Sequence, residues 1–182
     1  MFESISVDGF FTGVDNDMSF AKNPVDDPEF DAFVGQNASG EGVMLFGRVT
    51  YEMMASFWPT PMAAQMMPAV AEGMNRRSKI VFSNTLKTAA WNNTTVLGGD
   101  AVANVRKLKE EDGPDLVVLG SGSIVSQLSR ARLIDEYQFC IIPAVLGTGR
   151  TLFPDLSERF ALTLTKTRSF RNGNVFVTYE GA

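Results

Sequence analysis

Apolar and polar residues alternate along this chain in two distinct textures. In Glu3-Ser4-Ile5-Ser6-Val7 polar and apolar residues alternate from Ser4 onward and then meet Asp8-Gly9, which predicts a strand closed by a turn. Short unbroken apolar runs follow at Val43-Met44-Leu45-Phe46, Ile80-Val81-Phe82 and from Asp115 to Leu119. Each reads as a buried strand. Thr94-Thr95-Val96-Leu97 is a further short strand, closed by Gly98-Gly99. Between these runs the spacing becomes helical. Phe30, Phe33 and Val34 follow an Asp27-Pro28-Glu29 helix start. Tyr51, Met54, Ala55 and Trp58 form one stripe after Gly47, stopped by Pro59. Asp100 caps a helix to about Glu111 with Val102, Val105 and Leu108 inward, and Ile124, Leu128, Ala131 and Leu133 mark another. Residues 59–77 are rich in Met and Ala and read as partly helical, their methionines filling gaps in a core or forming a soft surface.

The C-terminal part changes texture again. Glu136–Pro143, Phe160–Ser169 and Val175–Glu180 read as strands, and Asn172-Gly173 signals a hairpin between the last two. Strand–helix units followed by a β-rich end predict an α/β fold. A three-layer αβα sandwich is expected, with a mixed, mostly parallel sheet and antiparallel C-terminal edge strands. No linker or repeat divides residues 1–182, so one domain is expected, and a chain of this length can bury a sizeable core. The segment from Phe10 to Pro28 is long for a plain connection and carries Phe10, Phe11, Met18 and Phe20, which suits a lid or binding loop.

Charge and composition remove several functions. A net charge of −5 argues against binding nucleic acid or an anionic membrane surface. The basic cluster Arg76-Arg77-Ser78-Lys79 is too short to track a phosphate backbone and reads as a solvated loop at a strand start. The chain has one cysteine, Cys140, in an apolar context that suggests a packed thiol. It has no histidine. Catalysis by imidazole and a classical zinc site are thereby excluded, and no metal is expected. No run of about 18 apolar residues suggests a membrane span. No signal peptide is evident, so a cytoplasmic protein is expected.

Two strand-to-helix turns carry the chemistry. Gly47-Arg48-Val49-Thr50-Tyr51-Glu52 and Leu119-Gly120-Ser121-Gly122-Ser123-Ile124 each follow a buried strand and open a helix. Helix N-termini present unpaired N–H groups and a positive dipole end to phosphate. Arg48 adds a planar fork of donors, and glycine lets the backbone come close. A split dinucleotide-phosphate site is expected. It is neither the Rossmann fingerprint, since the third glycine is missing, nor a P-loop, since no Gly-Lys-Ser/Thr occurs.

These residues carry a family resemblance over nearly the whole chain. Ser6-Val7-Asp8-Gly9, Leu45 to Glu52, Phe82-Ser83-Asn84, Leu119 to Ser123 and Pro143 to Phe153 stand in this order. Together they resemble the dihydrofolate reductase superfamily, and most closely the reductase domain of bacterial riboflavin biosynthesis and its stand-alone relatives. The resemblance implies NADPH as cofactor. It would place Gly47, Arg48 and Thr50 beside the phosphates, and Ser83 and Asn84 near the adenosine ribose and its 2′-phosphate. Gly120, Ser121, Gly122 and Ser123 would cradle the pyrophosphate with Ile124 alongside, while Ser4 and Ser6 would pass the nicotinamide. Asp8, Gly9 and the loop through Gly13 would fold over the active site. Gly147-Thr148-Gly149 matches a turn before the C-terminal strands.

The candidate substrate contacts are Asp8, Gly9, Phe11, Asp27 and Arg150, and the candidate catalytic acids are Asp8 and Asp31. In folate-reducing members an acid near Asp27, Glu29 and Asp31 binds the pterin, but the pattern here departs from theirs. The implied reaction is reduction of a small heterocycle of the 5-amino-6-(5-phosphoribosylamino)uracil type. A dihydrofolate or pterin reductase and a non-catalytic NADPH-binding protein are the alternatives. A homodimer paired through the C-terminal sheet is also implied.

Overall fold

The computed structural model describes residues 1–22, 24–154, 156 and 158–181. The chain opens with β1 (Phe2–Ser6), which lies in the middle of a twisted sheet rather than at its edge. On one side β1 pairs in parallel with β7 (Glu136–Ile142), followed by β10 (Val175–Gly181) and β9 (Leu162–Ser169), both antiparallel. On the other side stand β6 (Leu116–Val118), β3 (Val43–Gly47), β4 (Lys79–Phe82) and β5 (Thr94–Leu97), all parallel. A parallel bridge between Phe2 and Leu119, with the Gly120 N–H donating to the Phe2 carbonyl at 3.2 Å, joins the halves. The order is β5-β4-β3-β6-β1-β7-β10-β9, a mostly parallel sheet with an antiparallel C-terminal edge, as the texture of the sequence predicts.

Period-two alternation divides the core between the faces. Met44 and Phe46 point to one side with Val81, where α2 (Arg48–Phe57) and α4 (Pro68–Arg76) supply Tyr51, Val70 and Met74. Leu45 points to the other side with Val118, against Val105 of α5 (Ala101–Glu110) and Val125 and Leu128 of α6 (Gly122–Arg130). Cys140 is buried in β7, the packed thiol its context suggested. The Met- and Ala-rich stretch forms α3 (Pro61–Met66) and α4, each started by a proline. Asp27 and Asp100 cap α1 (Pro28–Ala38) and α5. Phe33 of α1 meets Phe176 of β10 at 4.7 Å between ring centroids.

Three local expectations need correction. Arg77 and Lys79 are not solvated, being 7% and 1% exposed. The Lys79 Nζ donates to the carbonyls of Arg77 at 2.7 Å, Asn92 at 3.2 Å and Asn75 at 3.3 Å, and sits 4.4 Å from the Trp91 ring centre. Burial lowers its pKa to about 8. The carbonyls at the end of α4 replace water, which no local pattern announces. The last hairpin is also longer than a bare Asn-Gly turn. Its Gly173 N–H donates to Phe170 and the Phe170 N–H to Asn174, with Gly173 at φ +87°, the geometry of a three-residue loop with a glycine bulge. Finally, the segment after Phe10 is not one loop. It holds β2 (Phe10–Thr12), paired with β8 (Arg150–Thr151), and two short helical turns.

Candidate functional site

Strands β3, β4 and β6 run parallel, so the turns at their carboxyl ends share one edge of the sheet, where open α/β sheets bind ligands. Both helix-opening turns lie there, and one hydrogen bond ties them together. The Gly47 N–H donates to the Ser121 Oγ at 3.0 Å. Gly120 and Ser121 both take left-handed backbone, at φ +63° and +64°. A serine there is strained, and the strain is held by its contacts. Its hydroxyl accepts from Gly47, and its carbonyl accepts from Ile124 at 2.8 Å and Val125 at 3.1 Å. Thr50 closes the arrangement from α2, because a Cβ on Gly120 would lie 3.1 Å from its Cγ2.

Neither α2 nor α6 has a side-chain cap. The first N–H groups of both helices, at Arg48, Val49, Gly122 and Ser123, therefore have no partner from their own helix. Ser123 is exposed, whereas Ile124 is buried beneath it. A side chain on Gly122 would collide with the Phe11 ring, whose nearest atom lies 2.3 Å from the Cβ position. Phe11, 6% exposed, thus packs on the first turn of α6. The Arg150 guanidinium stands 5.4 Å from that ring and also reaches Asn16 Oδ1 at 3.1 Å. Arg150 and Arg130 line a cavity of about 440 Å3 with Gly122 and Ser123. Arg48 is exposed and folded back on Glu52 at 2.7 Å.

Other predicted residues hold loops. Ser6 is fully buried, and its hydroxyl exchanges hydrogen bonds with the Phe10 backbone at 3.0 and 3.2 Å. Ser4 is half-buried on the same strand. Asp8 is exposed and accepts from Leu146 at 3.1 Å and Gly147 at 2.7 Å. It latches the β1–β2 turn, which contains Gly9, to the segment before β8. The Ser6 hydroxyl, then the N–H groups of Gly147 and Leu146, hold its carboxyl below the usual range. Ser83 accepts from Thr85 and Leu86, and Asn84 Oδ1 accepts from Gly99 at 2.6 Å, so both shape the ends of β4 and β5.

Asp27 is spent on the cap of α1 and on the N–H of Asn172 at 3.1 Å, while Asp31 is exposed one turn further on. Although burial pushes the Asp27 carboxyl upward, these N–H groups together bring it below its ordinary value. The structure thus brings Gly47, Thr50, Phe11 and residues 120–124 together. It engages Ser6, Asp8 and Asp27 in hydrogen bonds that hold loops in place.

One residue that sequence reasoning passed over stands beneath this site. Glu3 is 4% exposed, and burial pushes its carboxyl up to about 8. A signal existed: Met1, Glu3 and Ile5 share one face of a strand, and both neighbours are apolar.

The residues present suit a dinucleotide. Two uncapped helix starts supply N–H donors, Arg48 supplies charge, and Gly47 packs closely under the first turn of α6, where a Cβ would meet Ile124 at 3.4 Å and Ser123 at 3.7 Å. The fold and site define an α/β domain of the dihydrofolate-reductase-like kind. Residues 1–176 match the family model of the RibD C-terminal domain, and the chain belongs to that family. It is similar to the uncharacterized protein YyaP of Bacillus subtilis (strain 168), 26% identical over 179 residues, covering 97% of this chain and 91% of that protein.

Among solved structures it resembles a candidate riboflavin biosynthesis protein of Shewanella sp. PV-4, with TM-score 0.74 and 20% identity over 100% of this chain and 97% of that one. It also resembles a dihydrofolate reductase of Enterococcus faecalis complexed with NADP(H), with TM-score 0.59 and 16% identity over 99% and 94% of the two chains. Family and fold support a reductase of the riboflavin or dihydrofolate-reductase kind. Among the described residues no helix is long and apolar enough to cross a membrane, and no group of acidic or thiol side chains could hold a metal ion.

Proposed function

We propose that this protein is an NADPH-dependent oxidoreductase that reduces a small heterocyclic substrate of the 5-amino-6-(5-phosphoribosylamino)uracil type. The observation that carries the reading is the Gly47 N–H to Ser121 Oγ bond, which makes two helix-opening turns into one cradle. Residues 47–50 and 120–123 bind the phosphates through N–H groups, with Arg48 turning from Glu52 to add charge. Ser83 and Asn84 stand at the next strand end for the ribose 2′-phosphate. NADPH, when bound, supplies a hydride. The chain's own work is to hold that donor against the substrate and to exclude water.

Phe11 covers the first turn of α6, and Arg150 beside it offers a cation for a substrate phosphate. Asp8 is held ionised and serves as a latch for the loop over the site. Asp31, exposed near the start of α1, is the other candidate acid for the reaction. The same reading carries a homodimer through the C-terminal sheet, where β9 leaves an exposed edge. It also places the protein in the cytoplasm.

Fluorescence titration with NADPH and NADH tests the cofactor. Micromolar NADPH binding, strongly preferred over NADH, supports the reading, and absence of both overturns it. Steady NADPH oxidation with the phosphoribosylaminopyrimidine, compared with dihydrofolate, then separates a riboflavin-type reductase from a folate reductase. No oxidation with either substrate, despite binding, identifies a dinucleotide-binding protein without turnover.

A further inference from the structure

Glu3 is an acid placed where a charge has no support. It lies in β1, and its Oε1 accepts the Ser4 N–H at 3.2 Å. Its Oε2 is buried and has no hydrogen-bond partner. That oxygen lies 4.0 Å from the point where a Cβ would sit on Gly120, and Thr50 Oγ1 lies 4.0 Å from the same point. The β1 backbone one residue earlier is bolted to the turn, since the Gly120 N–H donates to the Phe2 carbonyl. Glu3 therefore sits directly against the Gly120–Ser121 turn and the first turn of α2.

The charged groups on the surrounding elements do not answer it. Arg48 and Glu52 of α2 pair with each other in solvent. The first turn of α6 carries no acid, and its one base, Arg130, is in the last turn. Glu136 lies at the start of β7 and accepts from Gln138. Asp8, beyond the end of β1, is held by Leu146 and Gly147. The Met1 amine on the same face donates to the Glu136 carbonyl and has its pKa lowered by burial to about 6, so above neutral pH it offers no charge, and in this layer the Glu3 carboxyl stays neutral.

Resting on the NADPH-binding reading above, we infer that Glu3 is a positioning residue of the phosphate cradle. As a neutral acid it supports the turn that receives the cofactor, and its ionisation weakens binding of the phosphate-bearing dinucleotide. Two physical effects act in the same direction. A carboxylate under the turn opposes the favourable field of two helix N-termini. It also draws water or nearby N–H groups toward itself, which disturbs the strained Ser121 geometry. By linkage, bound cofactor must favour the protonated acid by the same factor that protonation favours binding.

Calorimetric titration of the purified protein with NADPH provides the test, with Glu3→Gln beside the wild type. Glutamine keeps the carbonyl for Ser4 and cannot ionise. Measurements run from about pH 7 to 9.5, where the cofactor's own phosphates are already ionised. Lys79 titrates in this window in both proteins and cancels in the comparison. The expected result is a wild-type affinity that falls about tenfold across the range, set by roughly one unit of coupling, and a variant that stays flat.

Near pH 8 wild-type binding takes up protons, seen as heats that change with buffer ionisation enthalpy, and the variant takes up none. Should Glu3→Gln not fold, Glu3→Met replaces it. Matching pH profiles and proton uptake in wild type and variant would overturn the role of Glu3 while leaving NADPH binding intact. NADPH failing to bind either protein at any pH would overturn the cofactor reading, and this inference with it.

Discussion

Replacing Glu3 with Gln should make the protein more stable near neutral pH, and the gain should vanish toward acid. The carboxyl has an ordinary value of 4.5 and is pushed to about 8 by burial in the fold. Between those values the folded chain keeps the proton while the unfolded chain releases it. Unfolding then frees a proton, so wild-type stability falls as pH rises from 4.5 and levels off above about 8. Each pH unit in that interval costs about 1.4 kcal/mol. Between about pH 5.5 and 7.5 the wild type should therefore lose about 3 kcal/mol relative to Glu3→Gln. That is a large share of the roughly 5–15 kcal/mol available to a domain. Urea denaturation of both proteins at several pH values measures it, as a growing separation of midpoints at constant slope. Parallel curves would refute the reasoning, because they would mean that the carboxyl is ionised in the native state or finds a partner there.

The other expectations concern the turns and latches. Gly122→Ala drives a methyl into the Phe11 ring and should destabilise by about 1–3 kcal/mol, partly recovered in combination with Phe11→Leu, as thermal unfolding of the pair of variants would show. Arg48→Ala removes an exposed ion pair and should change stability by less than about 0.5 kcal/mol, yet lower NADPH affinity about tenfold; an unchanged affinity would remove Arg48 from the cradle. Asp8→Ala should free the Leu146 and Gly147 amides, read as faster hydrogen exchange at those two residues. The wild type should approach the variant's exchange rates as pH falls through the lowered Asp8 value, because protonation breaks the same latch.

The fold was legible because its signals are local. Short apolar runs between helical stripes gave the parallel core, and Asp27, Asp100, Pro28 and Pro59 marked helix ends through groups that act on their own backbone. The hairpin at Asn172-Gly173 was legible as a turn, though not in length, because loop size is set by where Phe170 and Asn174 pair. What escaped was the fate of Arg77 and Lys79. A basic run looks solvated until the Gly42 carbonyl meets Arg77 and the carbonyls of Arg77 and Asn92 meet Lys79.

The site divides along the same line. Gly47, Gly120, Ser121 and Gly122 could be singled out because helix-opening turns at strand ends show in a sequence as glycines and small polar residues, and the structure sets the two turns side by side. Ser6, Asp8 and Asp27 were read as ligand contacts from the family resemblance, and in the structure their oxygens are engaged by Phe10, Leu146, Gly147 and Asn172. Each of those partners except Phe10 is far away in the chain. Glu3 is the opposite case: its neighbours in sequence are ordinary, and its meaning comes only from the bridge between Phe2 and Leu119 that sets β1 beside the Gly120 turn. In the proposed reading, a carboxyl that cannot keep its charge, placed under a turn that receives anions, couples the protonation of the core to the occupancy of the cradle. That coupling ties the stability of the chain and its affinity for a phosphate-bearing ligand to the same proton.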